Sequence, residues 1–142
     1  MVHRRKVPLT VLGQAASSTN SATWSSFASV VEAAEQARFD GIGFVLDGLG
    51  IAAIDLDDCL HDGVLDDWAA EIVAACPGTY VEVSPSGCGL HIFGFASVGR
   101  GRRIGQVEVY DRGRYMTVTG QRWGNCPVRL GDVSVVVAGL VA

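Results

Sequence analysis

Ile51-Ala52-Ala53-Ile54-Asp55-Leu56-Asp57 is an apolar run that ends by alternating with carboxylates. A turn rich in glycine precedes it and Asp58 follows it, so the run predicts a β-strand. Side chains two apart on a strand share a face. Ile54 and Leu56 therefore point to a core, while Asp55 and Asp57 project together, about 6–7 Å apart by strand rise. Two carboxylates so spaced suit a divalent ion, or a pair of ions roughly 3.5–4 Å apart. Their hard oxygens favour Mg²⁺ or Mn²⁺ over zinc. The same pattern also describes a solvent-facing strand end that runs into a polar turn.

On the N-terminal side, Ile42 to Leu46 reads as a second short strand, joined by the turn Asp47-Gly48-Leu49-Gly50. Before it, a helix is expected over about 21–38, with Asn20 or Ser21 as N-cap and Asp40-Gly41 as stop. Trp24, Phe27, Val30, Val31 and Ala34 fall at helical spacing there. Residues 7–20 read as irregular. On the C-terminal side a second helix fits about 64–75, with Leu65, Trp68, Ile72 and Val73 inward and Pro77-Gly78 closing it. Strands then follow over 79–83, 90–93, 107–110 and 115–119. Tyr80, Glu82 and Ser84 share one face of the first. Arg100 to Arg103 reads as a basic loop and Asp111 to Arg114 as the turn between the last two strands. Residues 133–141 form a final apolar piece of open type. Two helices and an antiparallel or mixed sheet make an α+β fold.

The 142 residues suit one domain, and 49% hydrophobic residues supply a core, which argues against intrinsic disorder. The net charge of −4 divides unevenly: residues 1–96 sum to −8 and residues 97–142 to +4. No apolar run reaches the roughly 18 residues of a membrane span. The basic start from Met1 to Lys6 is not followed by an apolar signal core, so a cytoplasmic protein is expected. Cys59, Cys76, Cys88 and Cys126 include no CxxC pair, which argues against structural zinc and a disulfide framework.

Three more groups can carry chemistry. The loop Ser84-Pro85-Ser86-Gly87-Cys88-Gly89 lets backbone N–H groups approach an anion, and His91 follows it early in a strand. A hairpin loop beside a half-buried histidine is the plainer reading. Glu108 lies between Val107 and Val109 and becomes a third ligand if the sheet brings it beside Asp55 and Asp57. Asp111 competes for that role or simply builds a turn. Arg100, Arg102, Arg103, Arg112 and Arg114, with Arg122 further on, offer guanidinium forks for phosphates. Tyr110, Tyr115 and Trp123 interleave with them and can stack on bases. A solubilising hairpin explains the same charges.

In series these segments resemble a known family. Lys6-x-Pro8, Ala16-Ser17-x-Thr19-Asn20-x-x-Thr23-Trp24, Gly41-Ile42-Gly43-Phe44-Val45-Leu46 and Ile54-Asp55-Leu56-Asp57-Asp58-Cys59 occur in order. Glu82-Val83-Ser84-Pro85-Ser86-Gly87-x-Gly89-Leu90-His91-Ile92 and Val107-Glu108-Val109-Tyr110-Asp111-x-x-Arg114-Tyr115-x-Thr117-Val118-Thr119-Gly120 follow. The chain is similar to the primase-polymerase domain of phage and plasmid replication proteins, in the archaeo-eukaryotic primase superfamily, from about residue 6 to 120.

The resemblance implies an RRM-like primase palm preceded by a small N-terminal α/β unit. It makes residues 1–142 a single domain shortened on its C-terminal side. It implies a DNA primase/polymerase, a template-dependent nucleotidyltransferase that uses two divalent ions, Mg²⁺ or Mn²⁺. Asp55, Asp57 and Glu108 match its metal-holding acids, and His91 matches its phosphate-contacting histidine. Ser84, Ser86, Gly87, Gly89 and Arg114 are expected at the nucleotide. Arg100, Arg102, Arg103 and Arg112 are expected along nucleic acid. The implied partners are a DNA template and primer, nucleoside triphosphates, and a replicative helicase or other replication protein, with no membrane. The alternative expectation is a weakly active or inactive module that binds nucleotide or single-stranded DNA beside a replication partner.

Overall fold

The structure, a computed structural model, describes residues 6–36 and 39–142. Its centre is the strand Ile51–Leu56 (β2), flanked on both sides by antiparallel neighbours, Leu90–Phe95 (β6) and Val107–Tyr110 (β8). Arg102–Ile104 (β7) extends the sheet beyond β8, and Val81–Val83 (β5) pairs with β6. Gly131–Asp132 (β10) runs parallel to β6, so the six-stranded sheet is mostly antiparallel. With three helices, Phe27–Gln36 (α1), Asp67–Ala74 (α2) and Ser134–Val141 (α3), the fold is α+β.

Alternation along these strands sorts the sheet into two faces. Ala52, Ile54, Leu56, Leu90, Ile92, Val107 and Val109 form the larger core, against Ala69 of α2 and Val137 of α3. Each fully buried Ile, Leu or Val contributes about 1.5–3 kcal/mol, so this face carries most of the stability. The opposite face begins apolar, with Ala53 and Phe93 packed on Leu46 and Met116. Those two come from a separate two-stranded sheet of Ile42–Asp47 (β1) and Arg112–Val118 (β9). The polar residues of β2, β6 and β8 lie on this second face, beneath β9.

Several expectations are corrected. The first helix does not begin at residue 21. Asn20 Oδ1 accepts from the Ala22 amide and caps only a short 3₁₀ turn over Ser21–Thr23, and Trp24 is extended. The α-helix starts after Ser26, whose hydroxyl accepts from the Ser29 amide. Its Phe27 is 79% exposed, and no residue of α1 is buried. The expected end of that helix at residues 37–38 falls outside the described residues, as does the basic start at residues 1–5. The second helix is also shorter than expected. Leu60–His61 (β3) and Val64–Leu65 (β4) form a hairpin ahead of it. Asp62 and Gly63 both have positive φ, 50° and 80°, as a two-residue I′ turn requires.

The basic segment 100–103 is not all loop, because Arg102 and Arg103 belong to β7. The segment Asp111 to Arg114 is not a hairpin turn either. β8 pairs with β2 whereas β9 pairs with β1, so the chain changes sheets at Asp111 and β9 begins at Arg112. The open C-terminal piece is the helix α3, and no described helix is long and apolar enough to cross a membrane.

Candidate active site

Register across the sheet lines up one row of polar side chains. Glu82 pairs with His91, His91 with Asp55, Asp55 with Glu108, and Glu108 with Arg103. Asp57, just past the end of β2, joins this row. Asp55, Asp57 and Glu108 each offer a carboxylate oxygen, and these oxygens all lie within 4.8 Å of one another. The strand end is held by a turn that sequence reading overlooked. The Asp57 amide donates to the Gln106 carbonyl at 2.8 Å, and Gln106 Nε2 donates back to the carbonyls of Asp57 and Asp58. Asp58 has φ of 46° there, a left-handed conformation that Asp tolerates better than most residues.

The acids open onto a cavity of about 450 Å³ between the main sheet and β9. Asp55, His91 and Glu108 line one wall, and Arg114, Tyr115 and Thr117 of β9 line the other, with Lys6 and Ser18 from the N-terminal segment. That segment is stapled to β9: Tyr115 Oη donates to the Lys6 carbonyl and Ser18 Oγ to that of Gly113. The Arg114 guanidinium lies 4.3 Å from the centre of the Tyr110 ring, a cation–π contact that bridges the two walls.

The clustered acids of this cavity work against one another. Burial pushes the Asp55 carboxyl up to about 6, with Asp57 and Glu108 adding and His91 and Lys6 opposing. His91 Nε2 lies 3.6 Å from Asp55 Oδ1. On the far side, Glu108 Oε1 is 3.0 Å from Arg103 Nη1, so this arginine neutralises a site carboxylate here. Three clustered carboxylates, one of them hard to ionise, fit a hard divalent cation.

Asp111 is not part of the cluster. It is buried, and one carboxylate oxygen accepts from the Val98 amide at 2.9 Å. The Arg112 guanidinium reaches both carboxylate oxygens and, more than the opposing burial, holds the carboxyl below its ordinary range. Its work is to fix the crossing between sheets. Arg112 is thereby engaged with Asp111.

The expected nucleotide loop lies beside the strand end rather than in the cavity lining. Cys59 and Leu60 amides both donate to the Cys88 carbonyl, which sets the loop next to residues 57–60. Ser84 Oγ and Ser86 Oγ are 3.0 Å apart, Ser86 and Gly87 are exposed, and Gly87 has φ of 78°. Gly89 is buried, and a Cβ there would collide with the Leu56 carbonyl oxygen. Arg100 and Arg102 are exposed beyond the cavity. Trp123 departs from the expected stacking group: it packs against the main core beside Cys76 and Cys126.

Glu82 is the residue that sequence reading left without a role. Its side chain is fully buried beside His91. The alternation of Tyr80, Glu82 and Ser84 put it on a definite face, but only strand register sets it beside the histidine.

A comparison with curated proteins finds a DNA primase-polymerase of Nitratiruptor phage NrS-1 that is 31% identical over 140 aligned residues. The similarity supports a primase-polymerase relationship. The match takes in 87% of this chain and 19% of that protein, so the chain spans about a fifth of its relative's length. No family model matches the chain.

Proposed function

We propose that this chain is the nucleotidyl-transfer domain of a primase-polymerase, acting on a DNA template with nucleoside triphosphates. The observation that carries the reading is the convergence of Asp55, Asp57 and Glu108 within 4.8 Å, beside a cavity that also holds His91 and Arg114. The phage relative's name adds independent support. In this reading the six-stranded sheet is the RRM-like palm, and α1 and β1 form the small N-terminal unit, whose strand is paired by β9 from much later in the chain.

The three carboxylates of Asp55, Asp57 and Glu108 would hold Mg²⁺ or Mn²⁺. When bound, such ions lower the pKa of an attacking 3′-hydroxyl and neutralise the leaving pyrophosphate. The chain's own residues do the remainder. His91 and Arg114 meet triphosphate charge from opposite walls, and Arg114 does so with a planar fork that matches phosphate oxygens. The exposed Ser86 and Gly87 of the loop from Ser84 to Gly89 meet the phosphate tail, since the Ser84 and Gly87 amides already donate to the Gly89 and Ser84 carbonyls. Arg100 and Arg102 follow the nucleic-acid backbone, with Arg103 beside them, while Arg112, also expected there, is held by Asp111. No covalent enzyme intermediate is needed.

Primer-template extension tests the reading, with dNTPs and NTPs, with and without primer, in Mg²⁺ or Mn²⁺. Extension by the wild type and its loss in Asp55→Ala/Asp57→Ala is expected. Unchanged incorporation by the double variant would overturn the assignment. A second reading is favoured by the chain spanning 19% of its relative: a module that binds nucleotide or single-stranded DNA and turns over only with further protein, a helicase among the candidates. Metal-dependent nucleotide binding in calorimetry, with no product in any extension assay, selects it.

A further inference from the structure

His91 Nδ1 is buried and has no hydrogen-bond partner, alone among the buried side-chain nitrogens and oxygens of the described residues. A buried donor left unmade costs about 1–3 kcal/mol, so the group that faces it matters. That group is Glu82 Oε1 at 3.5 Å, longer than a formed bond. Glu82 has 0% exposure, and its carboxylate is fixed from three other directions. The Thr119 amide donates to Oε1, and the Gly120 amide and Tyr80 Oη donate to Oε2, each at 3.0 Å. Burial opposes ionisation, but His91 and these donors together outweigh it and hold the carboxyl below its ordinary range. Phe93, edge-on to the His91 ring at 5.9 Å between centres, limits its tilt.

We infer that Glu82 is a positioning residue: its carboxylate faces the N–H of His91 Nδ1 and so fixes the ring with Nε2 turned toward Asp55 and the cavity. The geometry couples two walls. Thr119 and Gly120 directly follow β9, so one carboxylate fixes the histidine on β6 and anchors the strand that carries Arg114 and Thr117. Thr119 Oγ1 also donates to the Val83 carbonyl at 2.6 Å, next to Glu82 in β5. Polar contacts that are long in a free site commonly tighten when substrate binds, and shortening of Nδ1···Oε1 is the movement expected here. That Nε2 faces substrate rests on the function proposed above, whereas the Glu82–His91 pairing does not.

Two-bond proton–nitrogen NMR of the three histidines tests the pairing without any assay of turnover. In the wild-type protein a proton is expected on His91 Nδ1. A bare Nδ1 with the proton on Nε2 would overturn the inference, and needs no variant to fold. At the same pH, Glu82→Gln is expected to move His91 toward the Nε2–H tautomer, and an unchanged spectrum counts against it. Kinetics then separate positioning from mere scaffolding. Glu82→Gln is expected to lower kcat/KM for the triphosphate by about 10–100-fold while leaving KM for primer-template unchanged. In a His91→Asn background the same substitution is expected to add little, because the carboxylate acts through the ring. Losses that multiply refute that. If no extension is seen under any condition, the function above fails while the NMR result still decides the pairing.

Discussion

At the residue scale, the site is a row of ionisable side chains drawn across five strands: Glu82, His91, Asp55, Glu108 and Arg103. Asp55 sits at the middle and bears the cost. Its carboxyl moves from 3.8 to about 6, first through burial and then through Asp57 and Glu108. A group whose folded pKa is raised contributes stability that is fully present below about pH 4 and lost as pH rises through about 6. In chelator, Asp55→Asn is therefore expected to raise Tm over wild type at about pH 7 and not at about pH 4. The gap has an upper bound of about 3 kcal/mol. Thermal melts across that range check it, and a gap independent of pH contradicts it. Added Mg²⁺ is expected to stabilise the wild type and not the variant.

Glu108 and Asp111 separate on the same logic. Glu108→Gln is expected to leave the urea midpoint near wild type and to weaken Mg²⁺ binding about tenfold or more in calorimetry, since a charge-assisted contact is worth about 1.5–3 kcal/mol. Asp111→Asn is expected to do the reverse. It leaves one acceptor oxygen for the Val98 amide and the Arg112 guanidinium, sets an NH2 against one of these donors, and costs about 1–3 kcal/mol of stability.

At the element scale, the parts legible in the sequence were short apolar runs bounded by turns. The end of β2 and the whole of β8 alternate, and from this Asp55 and Asp57 were read onto one face and Glu108 off the core side. The parts that were not legible depend on partners remote in sequence. β7 carries Arg102-Arg103-Ile104 with every residue exposed, so no apolar alternation marks it. β9 looked like the return arm of a hairpin because nothing in Asp111-Arg112-Gly113-Arg114 announces a change of sheet. Glu82 was invisible as a contact of His91 for the same reason: register is a property of two strands. Gly89 was read as a phosphate-loop glycine, yet its closest demand is packing against the Leu56 carbonyl at the end of β2. Gly89→Ala is thus expected to force β6 and β2 apart beside Asp57 and to cost about 1–3 kcal/mol, read as a fall in denaturation midpoint. An unshifted midpoint would show that the hairpin yields without strain.

At the scale of the whole molecule, the net charge of −4 conceals two regions with opposite tasks. Eight carboxylates and no Lys or Arg lie between Asp47 and Glu71, and residues 97–142 carry +4. The fold sets these beside each other, because β8 from the basic region pairs directly with β2 from the acidic one. Clustered acids repel a phosphate backbone unless cations cover them, so under the proposed function the arginines of residues 97–142 would supply the attraction. Each phosphate contact to single-stranded DNA contributes about 0.7 to the slope of log K against log salt. Arg100→Ala and Arg102→Ala are each expected to weaken binding at low salt and to lower that slope by up to about 0.7. Arg103 should behave differently, because in the free protein its guanidinium is spent on Glu108 at 3.0 Å. That pair is largely exposed on the arginine side, and such pairs are worth at most about 1 kcal/mol. Arg103→Ala is therefore expected to tighten Mg²⁺ binding by no more than about fivefold, and to reduce the salt slope only when Mg²⁺ is present. Salt titrations of the three variants with a fluorescent single strand, in chelator and in Mg²⁺, separate the cases. A slope that falls equally for Arg103→Ala in both conditions would mean that the guanidinium already serves DNA and leaves Glu108 when the strand arrives.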